Sequence, residues 1–376
     1  MRKKLLLISF FTTFLGVLLG YLLERDASQG ESIIKVGVIA YLSGDVAQIG
    51  QQYLKGVELG VDQYNRKGRE RMIRLYVEDG KNSSRDAVSA YNKLMTQGVD
   101  VILMVGDNHV NSVSPLSTKK KIPVISSIAG ATAFLNQNLG NERSLFLDWI
   151  SIALISQKLA DFASHSANIK TVSLLTLEDE YGKEAADYFS TEFKAGGGLI
   201  VASESYAYDS RNVTPQVLKV LQKKPDAVFV AGYGGAYVNV INTLKQFCFS
   251  GIILTDTSIM NPESRTGVSD FAKIIFADSR YNDFPRSDGR SMFEEQYIEK
   301  FGEAPTLFSS FGFDGILLVG MAIQLCSFDI RQGLDSLHDV ATLNGVLSFD
   351  EIGAAQLPLV LRRMDKDGSV HDVIEK

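Results

Sequence analysis

The sequence predicts an α/β protein made of two lobes, each a doubly wound parallel sheet. Short β-branched runs alternate with stretches of helical apolar spacing, and many of the joining turns are small, polar and glycine-bearing. The alternation stops near Arg143 to Trp149 and then starts again in the same style. Strand, turn, helix and strand in steady succession is the pattern of parallel β with crossover helices.

The opening unit is the clearest. Ile33 to Ala40 is short and rich in β-branched residues, as suits a strand buried on both faces. The turn Ser43-Gly44-Asp45 follows. Val46, Ile49, Tyr53, Leu54, Val57, Gly60, Val61 and Tyr64 then recur at helical spacing. Ligands of open α/β sheets sit at the carboxyl ends of strands, so Leu42 to Gly50 is a candidate wall of a ligand site. Arg71 to Glu78 alternates as a strand. A helix is expected from Ser83 to Gly98, with Ser84 as the candidate cap and Gly98 as the stop. Val99 to Val105 is the next strand, a helix runs to about Lys119, and Ile122 to Ser127 is strand again.

The second run opens with a helix over Ile150 to Ser166. Strands follow at Thr171–Thr176, Leu199–Tyr206, Asp226–Ala231 and Gly251–Thr255. Helices are expected up to Ala195, over Val213–Gln222 and over Gly234–Phe247, with Gly196-Gly197-Gly198 as a break. Ala277 to Gly289 is polar and turn-rich and reads as a return crossing between lobes. Ser291–Phe301 and Phe308–Leu325 are helical, Val346–Asp350 and Leu359–Met364 are strands, and Asp365-Lys366-Asp367-Gly368 is a turn. That turn begins like a calcium loop, but Lys376 stands where the twelve-residue frame needs its glutamate, which leaves a plain β-turn.

Composition narrows the function. A chain of 376 residues, 45% hydrophobic, is long enough for two cores. The net charge is −6, and Lys119-Lys120-Lys121 is the main basic run beyond the N-terminus, which argues against a nucleic-acid partner. Arg2-Lys3-Lys4 followed by the apolar Leu5–Leu23 is a targeting segment. Its length approaches a bilayer span and no convincing cleavage site follows. We therefore favour an uncleaved signal anchor over a removed signal peptide; either places the folded part outside the cytoplasm. Cys248 and Cys326 both sit in apolar helical patterns and read as buried free thiols. No Cys/His spacing suggests a metal, and no cofactor is called for.

Catalytic motifs are lacking: the sequence has neither a G-x-S-x-G elbow nor a Walker A loop, and Gly232-Tyr233-Gly234-Gly235 lacks the dinucleotide frame. His109 with Asp107 is a possible acid–base pair, but no activated nucleophile accompanies it, so we do not expect an enzyme. His165, His338 and His371 read as surface residues. The strand ends are more telling. Tyr41–Gln48, Asp107–His109, Ser126–Thr132, Glu178–Tyr181, Tyr233 and Asp256–Ser258 are mostly polar, aromatic or small, and come from both runs. A cleft lined this way suits a small polar ligand.

KVGVIAYLSGDVAQIGQQYLKGVELGVDQYN, DAVSAYNKLMTQGVDVILM, IPVISSIAGAT, LEDEYGKEAADYF, PDAVFVAGYGG and GVLSFDEIGAA, in this order and spacing, resemble the substrate-binding proteins of branched-chain amino-acid ABC transporters, the leucine/isoleucine/valine-binding group of the type I periplasmic binding fold. The resemblance implies two lobes joined by three hinge crossings, closing on a ligand without catalysis. Lobe one would be 32–148 with 279–344, lobe two 149–278 with 345–376, and 1–31 the anchor and linker. It implies an ABC permease as membrane partner; the alternative is a membrane-tethered sensing module with a signalling partner. The candidate ligand-binding residues are Ser43, Asp107, Asn108, Ser127, Ala129 and Thr132 from lobe one, and Tyr181, Tyr233 and Asp256 from lobe two. Tyr181 and Tyr233 match tyrosines that line the family's cleft. Asp107 falls where many relatives carry a carboxylate-binding serine, Gly130 where a threonine is common, and Ile49 where an aromatic is frequent. Thr257, or Asp256 with a one-residue shift, lies where an acidic residue often holds the ligand's ammonium. A carboxylate at Asp107 would repel an α-carboxylate by about 4 kcal/mol at 4 Å and an effective dielectric of 20.

Overall fold

The structure is a computed structural model that describes residues 32–69, 71–139, 142–167, 169–279 and 288–373. The expected targeting segment, Arg2 to Leu23, lies outside the described residues.

In the first half, β1 (Ser32–Ala40), α1 (Ala47–Arg66), β2 (Arg71–Asp79), α2 (Ser84–Gln97), β3 (Val101–Val105), α3 (Asp107–Lys120), β4 (Val124–Ser127) and β5 (Leu145–Leu147) follow in sequence. The five strands form one parallel sheet in the order β2-β1-β3-β4-β5. Every residue of β3 is buried, as an apolar run in a sheet covered on both faces requires. Helix α2 is capped by Ser83, not Ser84: the Ser83 side chain accepts from the Asp86 N–H, and Gly98 ends the helix in the left-handed region.

The second half repeats the plan. Helix α4 (Ile152–Asp161) gives way to a π-turn at Phe162–Ser166, and then come β6 (Thr171–Leu177), α5 (Glu180–Ala195), β7 (Leu199–Tyr206), α6 (Thr214–Leu221), β8 (Ala227–Ala231), α7 (Gly234–Gln246), β9 (Ile252–Thr255), α8 (Pro262–Gly267) and β10 (Ile274–Ser279). The parallel part of this sheet runs β7-β6-β8-β9-β10, the same relative order as the first. Strand β10 ends in Ala277–Ser279, residues that read as the start of a polar crossing. Its Asp278 disguised it: that carboxylate is buried against Arg362 at 3.4 Å, a pairing that lets a charge sit inside a sheet.

The chain then returns. Helices α9 (Asp288–Phe301), α10 (Leu307–Leu325) and α11 (Ile330–Asp335) precede strands β11 (Val340–Thr342), β12 (Gly345–Phe349) and β13 (Ala355–Gln356). Helix α10 is apolar and long enough to cross a membrane, but two-thirds of it is buried, as in a core helix. It packs backbone to backbone on α1: a Cβ at Gly56 would overlap the Ser309 carbonyl, and one at Gly312 the Tyr53 carbonyl. Strands β14 (Leu359–Met364) and β15 (Val370–Asp372) finish the second sheet as antiparallel additions beside β10. The expected lobe boundary at 344/345 falls inside the β11–β12 hairpin, where Thr342 pairs with Gly345. Residues 350–354 still bond to the first half, through Arg143 to the Asp350 carbonyl, Asn138 to Ile352 and the Leu147 N–H to Gly353.

Both cysteines are free, but neither is buried: Cys248 is exposed just past α7, and Cys326 is half-buried at the end of α10.

Candidate functional site

In each half the strand order reverses direction beside the first strand, between β1 and β3 and between β6 and β8. The loops leaving those strands diverge there and leave a crevice. The two crevices face one another across a cavity of about 120 Å³, to which the segments after β1, β2, β3, β4 and β5 and those after β6, β8 and β9 all contribute.

The first-half wall is fixed by polar contacts at the strand ends. Asp79, at the end of β2, accepts from the Leu42 N–H (3.0 Å), the Ser43 hydroxyl (2.5 Å) and the Lys81 N–H (2.8 Å). These bonds hold the carboxyl of Asp79 below the usual range despite its partial burial, and tie down the loop that carries Val46 and Ile49 to the cavity. Tyr41 packs edge-on to His109 with ring centroids 4.6 Å apart. His109 Nε2 faces the carbonyls of Gly80 (3.0 Å) and Lys81 (2.6 Å), so it carries the proton and donates. Burial lowers the imidazole's pKa. His109 therefore braces the loop after β2, while Asp107 turns elsewhere; the two do not form the acid–base pair considered from sequence.

Asp107 opens α3 and reaches across to the loop after β4. Its carboxylate accepts from the Gly130 N–H (3.3 Å) and the Ala131 N–H (2.9 Å). Burial pushes its pKa up to about 7 against the lowering effect of those bonds, and the negative charges of Asp179 and Glu184 add to the rise. Asn108 lies beside it and donates to Asn82 Oδ1 at 3.0 Å. Trp149 supplies an aromatic floor, stacked with Phe308 at 6.2 Å.

The second-half wall is tyrosine. Tyr181 and Tyr233 meet edge to face, 5.9 Å between centroids. The Tyr233 hydroxyl donates to Asp179 Oδ2 at 3.0 Å, while Asp179 Oδ1 caps α5 by accepting from the Gly182 N–H at 2.8 Å. The Tyr181 hydroxyl bonds to Asp256. Asp256 is wholly buried and also accepts from the Gly232 N–H (3.0 Å) and the Ser258 N–H (2.8 Å).

The halves touch across the cleft. The Tyr181 ring lies against Gly130, where a Cβ would overlap it. Glu184 of α5 accepts from the Thr132 N–H (2.8 Å), the Thr132 hydroxyl (2.9 Å) and the Ala133 N–H (2.5 Å) at the start of the short 3₁₀ helix Ala133–Asn138.

Comparison with known proteins places this geometry. A family model described as "Periplasmic binding protein" matches residues 33–369. The chain belongs to that family. Among curated relatives, the Leu/Ile/Val-binding protein BraC3 of Rhizobium johnstonii is 25% identical over 61% of this chain, and the Leu/Ile/Val-binding protein of Escherichia coli is 24% identical over 63%. The match spans 63% of the length of each of these two relatives. Among solved structures, the leucine binding protein LivK of Thermotoga maritima superposes with a TM-score of 0.79 at 20% identity, covering 91% of this chain and 98% of that one. A solute binding protein of an ABC transporter from Rhodopseudomonas palustris, in complex with 3,4-dihydroxy benzoic acid, superposes with a TM-score of 0.76 at 22% identity, covering 91% and 96%. The fold is thus the type I periplasmic binding fold, and family membership implies an extracytoplasmic location for the folded part.

Of the residues expected to form the periplasmic binding protein's cleft, Asp107, Asn108, Tyr181 and Tyr233 line the cavity together. The others have different work. Ser43 is exposed and bonds to Asp79. Ser127 is buried and donates to the Tyr53 hydroxyl at 3.1 Å. Ala129 is buried beneath the loop, and Thr132 is taken up by Glu184. Asp256 stands behind Tyr181 and is saturated by its own donors. Thr257, Gly130 and Ile49 do reach the cavity. Tyr41 and Ser258 lay within the singled-out strand-end stretches without being chosen. Asn82 follows the end of β2 and obeys the same strand-end rule. Trp149, the chain's sole tryptophan, sits just past β5, a strand too short to register from sequence. Phe308 arrives from α10, with no local signal of its role.

Proposed function

We propose that this chain is an extracytoplasmic solute-binding protein whose two halves close on one small polar ligand, an amino acid or a related compound, and present it to an ABC permease. The observation that carries the reading is the cavity at the two facing switch points, with walls from both sheets. The relatives are solute-binding proteins, and the chain is proposed to bind without catalysing. We assign Asp107, Asn108, Tyr181, Tyr233 and Trp149 as the chief ligand-facing side chains. The lobes are proposed as 32–147 with 288–354, and 148–279 with 355–373, moving about the strands between them. The apolar stretch Leu5–Leu23 is proposed to tether the protein to the membrane. A tether suits a sensing partner as well as a permease, and co-purification with one or the other discriminates.

A library of amino acids, amines, amides and aromatic acids, screened by thermal shift on the full-length chain, tests the reading. A ligand held only by the folded state must raise the melting temperature, by about 2.7 kcal/mol of stabilisation at a hundredfold excess over Kd. The same ligand should appear unchanged after prolonged incubation and should reduce the radius of gyration in small-angle scattering. A library with no stabilising member would sink the proposal.

A further inference from the structure

Resting on the proposed binding cleft, we infer that its ligand is a small organic cation, an amine without a free carboxylate, rather than a zwitterionic amino acid. Among the described residues, the cavity wall carries one carboxyl group, Asp107, and no Lys, Arg or His. A ligand carboxylate needs positive charge or free N–H donors. Two amides of the loop after β4, at Gly130 and Ala131, are already engaged by the Asp107 carboxylate. The next two along, Thr132 and Ala133, are engaged by Glu184. An anionic group entering here would meet carboxylates in the places where it needs donors.

The same features favour a cation. A carboxylate has room for about four hydrogen bonds, so Asp107 can accept from an ammonium while keeping both backbone donors. Trp149, Phe308, Tyr41, Tyr181 and Tyr233 line the space, and an aromatic ring attracts a desolvated cation over its face. Asn82, Thr257 and Asn261 add polar atoms that can bind the remaining ammonium protons. Asp179, 3.0 Å from the Tyr233 hydroxyl, adds negative potential from just behind the wall. With a cavity of about 120 Å³, the ligand is a compact amine with a short apolar tail.

The test compares three probes with one carbon skeleton: leucine, 3-methylbutylamine (leucine without its carboxylate) and 4-methylpentanoate (leucine without its ammonium). Calorimetry and thermal shift on the full-length chain should rank the amine first, by tenfold or more over leucine, with the acid silent. D107N should weaken the amine by roughly 10- to 100-fold, as expected for loss of a charge-assisted hydrogen bond. Circular dichroism reports whether D107N folds. If it does not, wild-type affinity for the amine still decides: it should strengthen as pH rises through the titration of Asp107, whose surroundings include Tyr41, Asp179, Tyr181, Glu184 and Tyr233. Leucine or the acid binding more tightly than the amine would overturn the cation inference and leave the binding cleft standing. Silence from all three, with stabilisation by another neutral or anionic member of the wider library, would do the same. Silence from the whole library would overturn both.

Discussion

At the scale of single residues, Gly130 and Tyr181 are a matched pair. A side chain at that position, such as the threonine the resemblance led us to expect, would overlap the Tyr181 ring. G130A should therefore disturb the contact between the halves more than its single added methyl suggests. Overpacking of this kind costs about 1–3 kcal/mol, and tighter closure on a ligand should suffer along with it. The clean measurement is a double-mutant cycle in urea denaturation. G130A should be destabilising in the wild-type background and close to neutral in Y181A, since removing the ring removes the clash. Equal effects in both backgrounds would show that the close approach has no energetic weight. Asp256 teaches the complementary lesson. Its sequence position suggested a ligand contact, but four donors from its own half fill it: the Gly232 N–H, the N–H and hydroxyl of Ser258, and the Tyr181 hydroxyl, which it fixes.

At the scale of elements, the most consequential contact is between α5 and the 3₁₀ helix Ala133–Asn138. Glu184 is the N-terminal cap of that short helix, supplied by the opposite sheet. E184A strands several part-buried donors, and should cost about 1–3 kcal/mol if nothing replaces the carboxylate. Because the contact bridges the halves, the loss should also appear as a larger radius of gyration in the ligand-free protein and as weaker ligand binding. An unchanged scattering profile would mean that other contacts, such as Tyr181 on Gly130, hold the halves together alone. This contact was not legible in the sequence, where Glu184 is one more polar residue on an amphipathic helix and Thr132 lies 52 positions away. What was legible is what local chemistry writes down. Buried parallel strands are apolar runs, and their carboxyl ends switch abruptly to polar, small or aromatic residues, so Asp107, Asn108, Tyr181 and Tyr233 could be read as cleft residues. What escaped depended on distant partners. Strand β10 hid behind the Asp278–Arg362 pair, β5 is three residues long, and the last crossing lies beyond a hairpin whose strands bond to each other before either half claims them.

At the scale of the whole molecule, the repeated strand order explains why the cleft concentrates carboxyl groups away from water. Each half turns the carboxyl ends of its strands toward the other, and acidic caps and loop braces accumulate between them. Burial raises the carboxyls of Asp107, Asp179 and Asp256, and, deeper, beside the crossing strands, those of Asp148 and Asp314, the last to about 6. A carboxyl whose folded pKa lies above its unfolded value binds more protons in the folded chain between the two, so stability falls as pH rises through that window. For Asp107, with a folded pKa of about 7, the fall is steepest below pH 7 and levels off above it; the part between about pH 6 and pH 8 is worth on the order of 1 kcal/mol. His109 works against this trend, since its lowered pKa costs stability as pH falls below the ordinary histidine range. Subtracting D107N from wild type removes that background, because both chains keep His109. Wild type should gain about 1 kcal/mol on D107N between pH 8 and pH 6 in urea denaturation, whatever the constant offset between them. A saturating amine should abolish that gain, because a bound cation holds Asp107 ionised and binding then releases a proton. Parallel pH curves for wild type and D107N without ligand would place the titration of Asp107 outside this window and remove the coupling between proton and ligand that the proposed cationic ligand requires.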